Sequence, residues 1–132
     1  MGVEKVEGWG MSTPEVAYRV SWDDANQIAW LHWAPGAVCD LAMAEQVDRE
    51  VQDLGHGKVR LLVDLRPDAM VDRAARHFFI NLHAHYVAVG MLAGSPATRM
   101  LANFFIGLKR GPIPVRLFTD ETEAIDWTRS VE

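Results

Sequence analysis

Two short apolar runs constrain the fold of this chain more than any other feature of its sequence. Residues 58–65 (KVRLLVDL) and 86–93 (YVAVGMLA) are dominated by aliphatic side chains, which is typical of short strands covered on both faces of a sheet. Between them, a segment with helical spacing of apolar residues begins near Asp72. A strand, a helix and a second strand in this order predict two parallel strands of one sheet.

The segment before these runs predicts a hairpin followed by a helix. Residues 15–22 alternate apolar and polar side chains, and residues 27–33 are apolar on both faces apart from His32. The Asp- and Asn-rich residues 23–26 between them predict the turn. An amphipathic helix follows, with Asp40 as its N-cap and Leu54 as its last residue; we expect these charged and polar side chains on its outer face: Glu45, Asp48, Arg49, Glu50, Gln52 and Asp53.

The segment after the runs repeats the alternation of helix and strand. Ser95 as N-cap and Pro96 at the first helical position predict a third helix, which the glycines and prolines of residues 107–114 end. Residues 115–118 predict a last short strand, and Asp120 predicts the cap of a final helix. We expect the inner face of the third helix to consist of Ala97, Met100, Leu101, Phe104 and Leu108.

The resulting order, ββαβαβαβα, predicts an α/β fold: one domain with a mixed, mostly parallel sheet of about five strands and four helices. The chain has 132 residues, the length of an ordinary single domain. We place the domain at residues 15–132. Residues 1–14 contain three glycines and no sustained period, and they predict a flexible N-terminal tail.

Charge and cysteine content exclude several classes of protein. The formal net charge of −5 disfavours nucleic acid as a partner, because nucleic-acid binders usually carry a basic excess. One cysteine, Cys39, excludes an intramolecular disulfide and a cysteine-rich zinc site. The uncharged residues 78–98 have the length of a membrane span but contain Asn, His, Gly and Pro, so we predict no span. The first residues show no basic segment followed by an apolar stretch, so we expect no secretory peptide and a cytoplasmic chain.

Several local sequences, together with the order of elements, resemble the STAS family of anti-sigma-factor antagonists. The resemblance rests on three segments: the strand Leu61-Leu62-Val63-Asp64-Leu65, the helix start Asp72-Arg73-Ala74-Ala75, and the closing residues 116–127 (RLFTDETEAIDW). The resemblance covers residues 15–131, and the closing segment is similar above all to an uncharacterised branch of the family, the STAS/SEC14-like proteins. The resemblance implies a bacterial regulatory domain that acts by binding, and a homo-oligomer is one form that this binding could take.

One family property does not transfer to this sequence. In the phosphorylatable members the helix after the third strand opens with Asp-Ser-Ser-Gly, and the first serine takes the phosphate. Here Asp72 is kept, but Arg73, Ala74 and Ala75 replace the remaining three residues. Residues 66–76 contain no hydroxyl side chain, so we expect no phosphorylation there.

Histidine and cysteine give two hypotheses for reactive chemistry. His77, His83 and His85, with His32 and Cys39 elsewhere, invite a metal site. Residues two apart point away from each other on a helix and towards the same face on a strand, so only a strand would let His83 and His85 share an ion. We expect no metal and no cofactor. Cys39 precedes a helix N-terminus, which lowers a thiol pKa, but a lone cysteine is more often a small buried apolar residue.

Basic and hydroxyl side chains near the ends of the third and fourth strands predict an anion-binding site. Ligands of open α/β sheets bind beyond the carboxyl ends of the strands, and helix N-termini attract anions. The arginines would supply always-charged donors, and the hydroxyls further hydrogen bonds. The predicted anion ligands are Arg66, Arg73, Ser95, Thr98 and Arg99.

Three functional hypotheses remain open from the sequence. The leading one is a non-catalytic, STAS-like binding and regulatory domain whose ligand is a protein partner, a second copy of itself, or a small acidic or amphipathic molecule. The second is a small enzyme or carrier with Asp72 or His77 as the acid–base group. The third is an assembly protein that associates through the hairpin bearing Trp22, Trp30 and Trp33.

Overall fold

A computed structural model of the chain describes residues 17–67, 69–81, 85–108 and 113–132. Its main sheet has five strands, in the order β1-β2-β4-β6-β7, and a second, two-stranded sheet pairs β3 with β5. Strand β2 is antiparallel to β1 and parallel to β4; the pairs β4/β6, β6/β7 and β3/β5 are also parallel. The strands are β1 (Tyr18–Asp23), β2 (Ile28–Trp33), β3 (Val38–Cys39), β4 (Val59–Asp64), β5 (Met70–Val71), β6 (Tyr86–Leu92) and β7 (Val115–Phe118).

Four helices alternate with these strands, and acidic residues cap three of them. The helices are α1 (Leu41–Gln52), α2 (Arg73–Ile80), α3 (Pro96–Leu108) and α4 (Glu121–Ser130). The side chains of Asp40, Asp72 and Asp120 each accept a hydrogen bond from the third residue of the helix that follows. The predicted α/β fold, with its five-stranded, mostly parallel sheet and four helices, is therefore confirmed. The predicted flexible tail, residues 1–14, lies outside the described residues.

The sheet buries its two faces against unequal numbers of helices. Side chains alternate along β4, so that Leu61 and Val63 pack with residues of α1, α2 and α3, whereas Leu62 packs with Ala124 of α4. The face covered by α1, α2 and α3 holds the larger apolar core. Strands β1 and β2 form one edge of the main sheet, and His32 of β2 is only partly buried on the face that also carries Trp30.

Helix α4 approaches the sheet very closely at Gly90 in β6. A Cβ atom on Gly90 would lie 2.6 Å from Leu62 Cδ2 and 2.9 Å from Thr128 Oγ1. Thr128 is fully buried, and its hydroxyl donates to the carbonyl of Ala124 at 2.7 Å, so that it leaves no unpaired polar atom in the contact. Glycine at position 90 thus sets the distance between α4 and the sheet.

Three details of the sequence prediction were wrong. Strands β3 and β5 were not predicted, because two residues are too short to show a period. Asp48, which we expected on the outer face of α1, is only 6% exposed. Ala97 and Met100, which we expected on the inner face of α3, are exposed, Met100 by 72%, whereas Thr98 and Ala102 are buried. The helix is rotated relative to the expectation because the Thr98 hydroxyl is hydrogen-bonded within the preceding turn and can be buried.

Candidate functional site

The parallel strands end at one edge of the main sheet, called the carboxyl edge here, and the helices that follow them begin there. Arg66 follows β4, Arg73 opens α2, and Ser95 precedes α3. Because each crossover returns its helix over the sheet, all five residues of the predicted anion site belong to this edge. The topology therefore brings the predicted residues to one side of the molecule.

The turn before α3 satisfies most of its own hydrogen-bonding groups. Thr98 Oγ1 accepts hydrogen bonds from the backbone N–H groups of Gly94 at 3.2 Å and Ser95 at 3.0 Å, and Ser95 Oγ accepts one from the Thr98 N–H at 3.2 Å. Thr98 is only 2% exposed. These hydroxyls cap the helix and stiffen the turn, rather than standing free as donors at the surface.

Arg66 is held by two carboxylates. Its Nε and Nη2 atoms donate to the two oxygens of Asp64, each at 2.9 Å, and Nη2 also donates to Glu121 Oε1 at 3.1 Å. A Cβ atom on Gly94 would lie 3.5 Å from Arg66 Cγ, so the side-chain stem packs against the turn before α3. Arg73 and Arg99 are exposed in the first turns of α2 and α3.

Asp64 is the centre of a polar cluster that sequence reasoning missed. It is 7% exposed, it accepts from the backbone N–H of Arg66 at 3.0 Å, and its Oδ2 lies 3.5 Å from His32 Nδ1. Burial works to raise the pKa of Asp64, but the hydrogen bonds from His32 and Arg66 outweigh it and hold that pKa well below its usual range. The Trp30 ring stacks on His32, with 5.1 Å between ring centroids and 3° between planes.

Exposed apolar side chains form a second feature of the carboxyl edge. Val38 and Met70 are partners in the small β3/β5 sheet and are 60% and 58% exposed, and Leu41 at the start of α1 is 40% exposed. The exposed N-caps Asp40 and Asp72 directly follow the two strands. We call Val38, Leu41 and Met70 the edge patch. Single exposed apolar residues are ordinary, whereas contiguous exposed apolar patches mark contact surfaces.

The remaining sequence hypotheses find different surroundings. Burial, then the charges of Asp40 and Asp72, raise the pKa of the Cys39 thiol to about 12, which suits a packed side chain and not a nucleophile. Among the described residues no three His, Cys, Asp or Glu side chains are grouped as a metal site would require; His83 lies outside those residues. The Asp72 carboxylate accepts from the Ala75 N–H at 2.9 Å, and His77 is exposed.

The tryptophans of the hairpin are used mainly inside the molecule. Trp33 and Trp30 are 2% and 7% exposed, on opposite faces of the sheet. Trp22 is partly exposed and stacks on His56, with 3.7 Å between ring centroids. The most exposed large apolar side chains of the described residues are instead those of the edge patch and Met100.

A second polar cluster lies at the opposite, amino edge of the sheet. Asp48 of α1 accepts hydrogen bonds from the buried Tyr86 hydroxyl at 3.0 Å and from Gln52 Nε2 at 2.6 Å, and His85 Nδ1 lies 3.3 Å from Asp48 Oδ1. Burial, followed by the charge of Asp48, raises the pKa of Tyr86 above its ordinary value. The cluster ties the last turns of α1 to the start of β6.

Comparisons with known proteins agree with this architecture. The sequence profile of a family described as a domain of unknown function (DUF7793) matches residues 21–132. An uncharacterised protein of the DUF3478 family from Shewanella loihica PV-4, solved as a crystal structure with a SpoIIAA-like fold, has a TM-score of 0.61 and 15% identity, over 90% of this chain and 99% of that one. The SpoIIAA-like, or STAS, fold expected from the sequence is confirmed.

Two further comparisons give less information about the fold. A protein of unknown function from Arthrobacter sp. FB24 is 32% identical over 86% of this chain and all of that one, with a TM-score of 0.34, which is too low to support a structural argument. No curated protein matches. Among the described residues, no helix has the length and apolar character needed to cross a bilayer.

Proposed function

This chain belongs to the DUF7793 family of domains of unknown function, and we propose that it is a non-catalytic regulatory domain of the bacterial cytoplasm that binds a protein partner through the edge patch. The observation that carries this proposal is the exposure of Val38 and Met70, which stand side by side on the β3/β5 sheet. The two strands pair with each other in a sheet of their own, and Leu41, three residues after Val38, is the exposed first residue of α1. Burying such a patch is the usual driving force of association.

The charges around the edge patch favour a particular kind of partner. The exposed carboxylates of Asp40 and Asp72 flank it, and the whole chain carries a net charge of −5. A partner that presents apolar side chains between lysines or arginines would match both features. Two copies of this chain that met through the edge patch would bring their Asp40 and Asp72 carboxylates together. A second copy is therefore a less favoured partner than a basic protein.

Paired substitutions test the proposal. Val38→Asp/Met70→Asp places charges on exposed positions and leaves the core intact, and Met100→Asp is a matched control because Met100 is also exposed but lies on α3. In affinity capture from the native cytoplasm, we expect wild type and the control to retain the same protein and the double variant to lose it. Identical capture by all three would overturn the proposal, and sedimentation of the purified chain reports self-association.

The anion-binding site at the carboxyl edge stays a second proposal. Its support is the presence of Arg73 and Arg99 in exposed first turns, where a cation opposes the helix dipole unless an anion lies nearby. Arg66 packs beside the turn before α3, although two carboxylates engage its guanidinium. Sulfate should raise the melting temperature of wild type more than that of Arg73→Ala/Arg99→Ala, compared with chloride at equal ionic strength. Equal shifts would mean that these arginines are ordinary surface charges.

A further inference from the structure

The two outer strands of the main sheet, β1 and β7, differ in how well they resist pairing with another chain. Strand β7 has four residues and directly follows Pro114, and short strands and prolines are common ways to protect an outer strand. Strand β1 has six residues, contains no proline, glycine or lysine, and keeps an unbroken register with β2. In the part of the chain that the structure describes, no strand pairs with the outer side of β1.

The backbone groups on the outer side of β1 are those of Tyr18, Val20 and Trp22. The N–H of Ala34 donates to the carbonyl of Ala17 at 2.8 Å, so the Ala17 carbonyl points towards β2. Hydrogen bonding alternates along an antiparallel strand, so every second residue from Ala17 onward faces β2, and the residues between them face outward. An added strand would therefore meet a regular row of backbone donors and acceptors.

Side chains on the α1 face of the sheet hold β1 in position. The Tyr18 hydroxyl donates to Glu50 of α1 at 2.5 Å, and the Trp22 ring stacks on His56, with 3.7 Å between ring centroids. Tyr18, Val20 and Trp22 also pack against the larger apolar core. Because β1 is ordered before any partner binds, little conformational entropy opposes pairing on its outer side.

The other face of β1 carries a self-complementary pattern of charge. Arg19, Ser21 and Asp23 alternate with the core-facing residues, and Arg19 is exposed. The Asp23 carboxylate accepts from the backbone N–H of Asn26 at 3.1 Å and from its side-chain amide at 2.9 Å, which holds it at the end of the strand. The cation and the anion thus lie on one face, at equal distances on either side of Ser21.

We propose that two copies of this chain associate through antiparallel pairing of their β1 strands, about a twofold axis between their Ser21 residues. Such an axis, perpendicular to the sheet, keeps each side chain on its own face. In this register Arg19 of each copy lies directly opposite Asp23 of the other, whereas registers centred on Val20 or Trp22 leave these charges opposite serine. The outward backbone groups of Val20 pair with those of Trp22 in the second copy.

This interface goes beyond the proposed function and uses a different surface. The edge patch belongs to β3, α1 and β5, and none of its residues lies on β1. Val38→Asp/Met70→Asp should therefore lose the captured partner and keep the self-association of the wild type. Loss of self-association in that double variant would overturn β1 as the interface, and it would leave partner binding through the edge patch to be judged by capture alone.

Sedimentation equilibrium over a concentration series tests the association. We expect a monomer–dimer equilibrium whose dissociation constant rises at least about tenfold in Arg19→Asp, because two attractive charge pairs become repulsive. Arg116→Asp, the same change at an exposed arginine of β7, is the matched control and should leave the constant unchanged. Equal effects of the two substitutions would overturn the proposal. A wild-type monomer at every concentration would also overturn it and would indicate a different protein as the occupant of β1.

Cysteine cross-linking tests the register independently of charge. Ser21→Cys places two thiols on directly opposed residues, with about 4.5 Å between Cα atoms, which is within the range of a disulfide. Diamide accepts the protons and electrons that the thiols lose, and Cys39 is buried. We expect a covalent dimer from Ser21→Cys. We expect none from Ser130→Cys, an exposed serine of α4 that controls for random collision.

Arg19→Cys is the register control on the same strand. Its two thiols would be offset along the strands by about 13 Å, four residues at about 3.3 Å each, which is too far for a disulfide. No covalent dimer from Ser21→Cys, or an equal yield from Arg19→Cys or Ser130→Cys, would overturn the proposed pairing. These substitutions are at positions outside the apolar core, so the test remains valid even if Arg19→Asp does not fold.

Discussion

Two buried aspartates lie at opposite edges of the sheet, and different hydrogen-bond donors compensate each carboxylate for its lost hydration. Asp64 at the carboxyl edge is 7% exposed and Asp48 at the amino edge is 6% exposed. Each faces a histidine Nδ1 atom, at 3.5 Å for His32 and 3.3 Å for His85. The remaining donors differ, because Asp64 binds two nitrogens of an arginine, whereas Asp48 binds a tyrosine hydroxyl and a glutamine amide.

This difference separates a candidate functional carboxylate from a structural one. A buried carboxylate must recover its lost hydration from charged or neutral donors. At the carboxyl edge, Arg66 compensates the charge of Asp64, and the Arg66 side chain is 43% exposed. This ion pair is therefore accessible from solvent. At the amino edge the Tyr86 hydroxyl is buried with the carboxylate, and its hydrogen bond joins α1 to β6. The Asp64 cluster thus leaves a charged arginine at the surface, whereas the Asp48 cluster stabilises the packing of α1 against β6.

The largest predicted effect comes from neutralising Asp64. Asp64→Asn keeps the size of the side chain but turns an –NH₂ group towards Arg66, which has only donors to offer. We expect a loss of about 1.5–3 kcal/mol in the free energy of unfolding at neutral pH, the range for hydrogen bonds to charged groups. Because the folded-state pKa of Asp64 is lowered, its stabilisation is present above the ordinary value of 3.8 and is lost as pH falls through the folded-state pKa.

Urea unfolding at neutral pH and below pH 3.8 measures this effect, and Asp48→Asn is the matched control. Two donors to Asp48, the Tyr86 hydroxyl and the Gln52 amide, are neutral, and the Gln52 amide can rotate to present its oxygen to an asparagine, so the control should lose less than about 1 kcal/mol. The difference in the free energy of unfolding between wild type and Asp64→Asn should become smaller in acid. Equal losses from the two substitutions would show that arginine pairing does not distinguish the two edges.

Much of the fold is predictable from the sequence because its signals are local. Asp40, Asp72 and Asp120 each predict the helix that begins at the next residue, and the aliphatic runs predict the central strands. Strands β3 and β5 escape such reasoning because their pairing depends on residues far apart in the chain. Met100 was misplaced because its burial depends on how Thr98 is capped, and periodicity does not report that.

The polar clusters were less predictable because tertiary contacts create them. His32 and Asp64 meet through the register of β2 with β4, and Asp48 meets Tyr86 across a helix and a strand. One local signal for Asp48 existed: it lies four residues after Ala44 and three before Val51, on the buried stripe of α1. Polar residues inside otherwise apolar strands, such as His32, are the corresponding signal at the carboxyl edge.

The second prediction concerns the alkaline response of the amino edge. Tyr86→Phe removes one donor to Asp48 and should lower the free energy of unfolding by about 1 kcal/mol at neutral pH. The folded-state pKa of Tyr86 is raised, so its contribution is complete below the ordinary value of 10.0 and is lost as pH rises through the folded-state pKa. The difference between wild type and Tyr86→Phe should therefore narrow above pH 10.0, as measured by urea unfolding.

Tyr18→Phe is a matched control for this experiment. The Tyr18 hydroxyl donates to Glu50 at 2.5 Å, and burial followed by this hydrogen bond raises its pKa as well, but the pair is only partly buried. A narrowing at high pH that is confined to Tyr18→Phe would assign the alkaline response to Tyr18 instead. If the difference in the free energy of unfolding between wild type and Tyr86→Phe does not narrow above pH 10.0, the proposed alkaline response of the amino edge is wrong.

The smallest effect is expected at the outer end of the Asp64 cluster. Arg66 and Glu121 form an ion pair whose side chains are 43% and 50% exposed, so solvent and salt screen it. Glu121→Gln should cost about 0.5 kcal/mol, and Glu123→Gln, in the same first turn of α4, controls for the helix dipole. In urea unfolding, the difference in the free energy of unfolding between Glu121→Gln and Glu123→Gln should vanish at high salt. A cost equal to that of Asp64→Asn would mean that α4, rather than Asp64, fixes Arg66, and the contrast between a shielded and a screened carboxylate would fail.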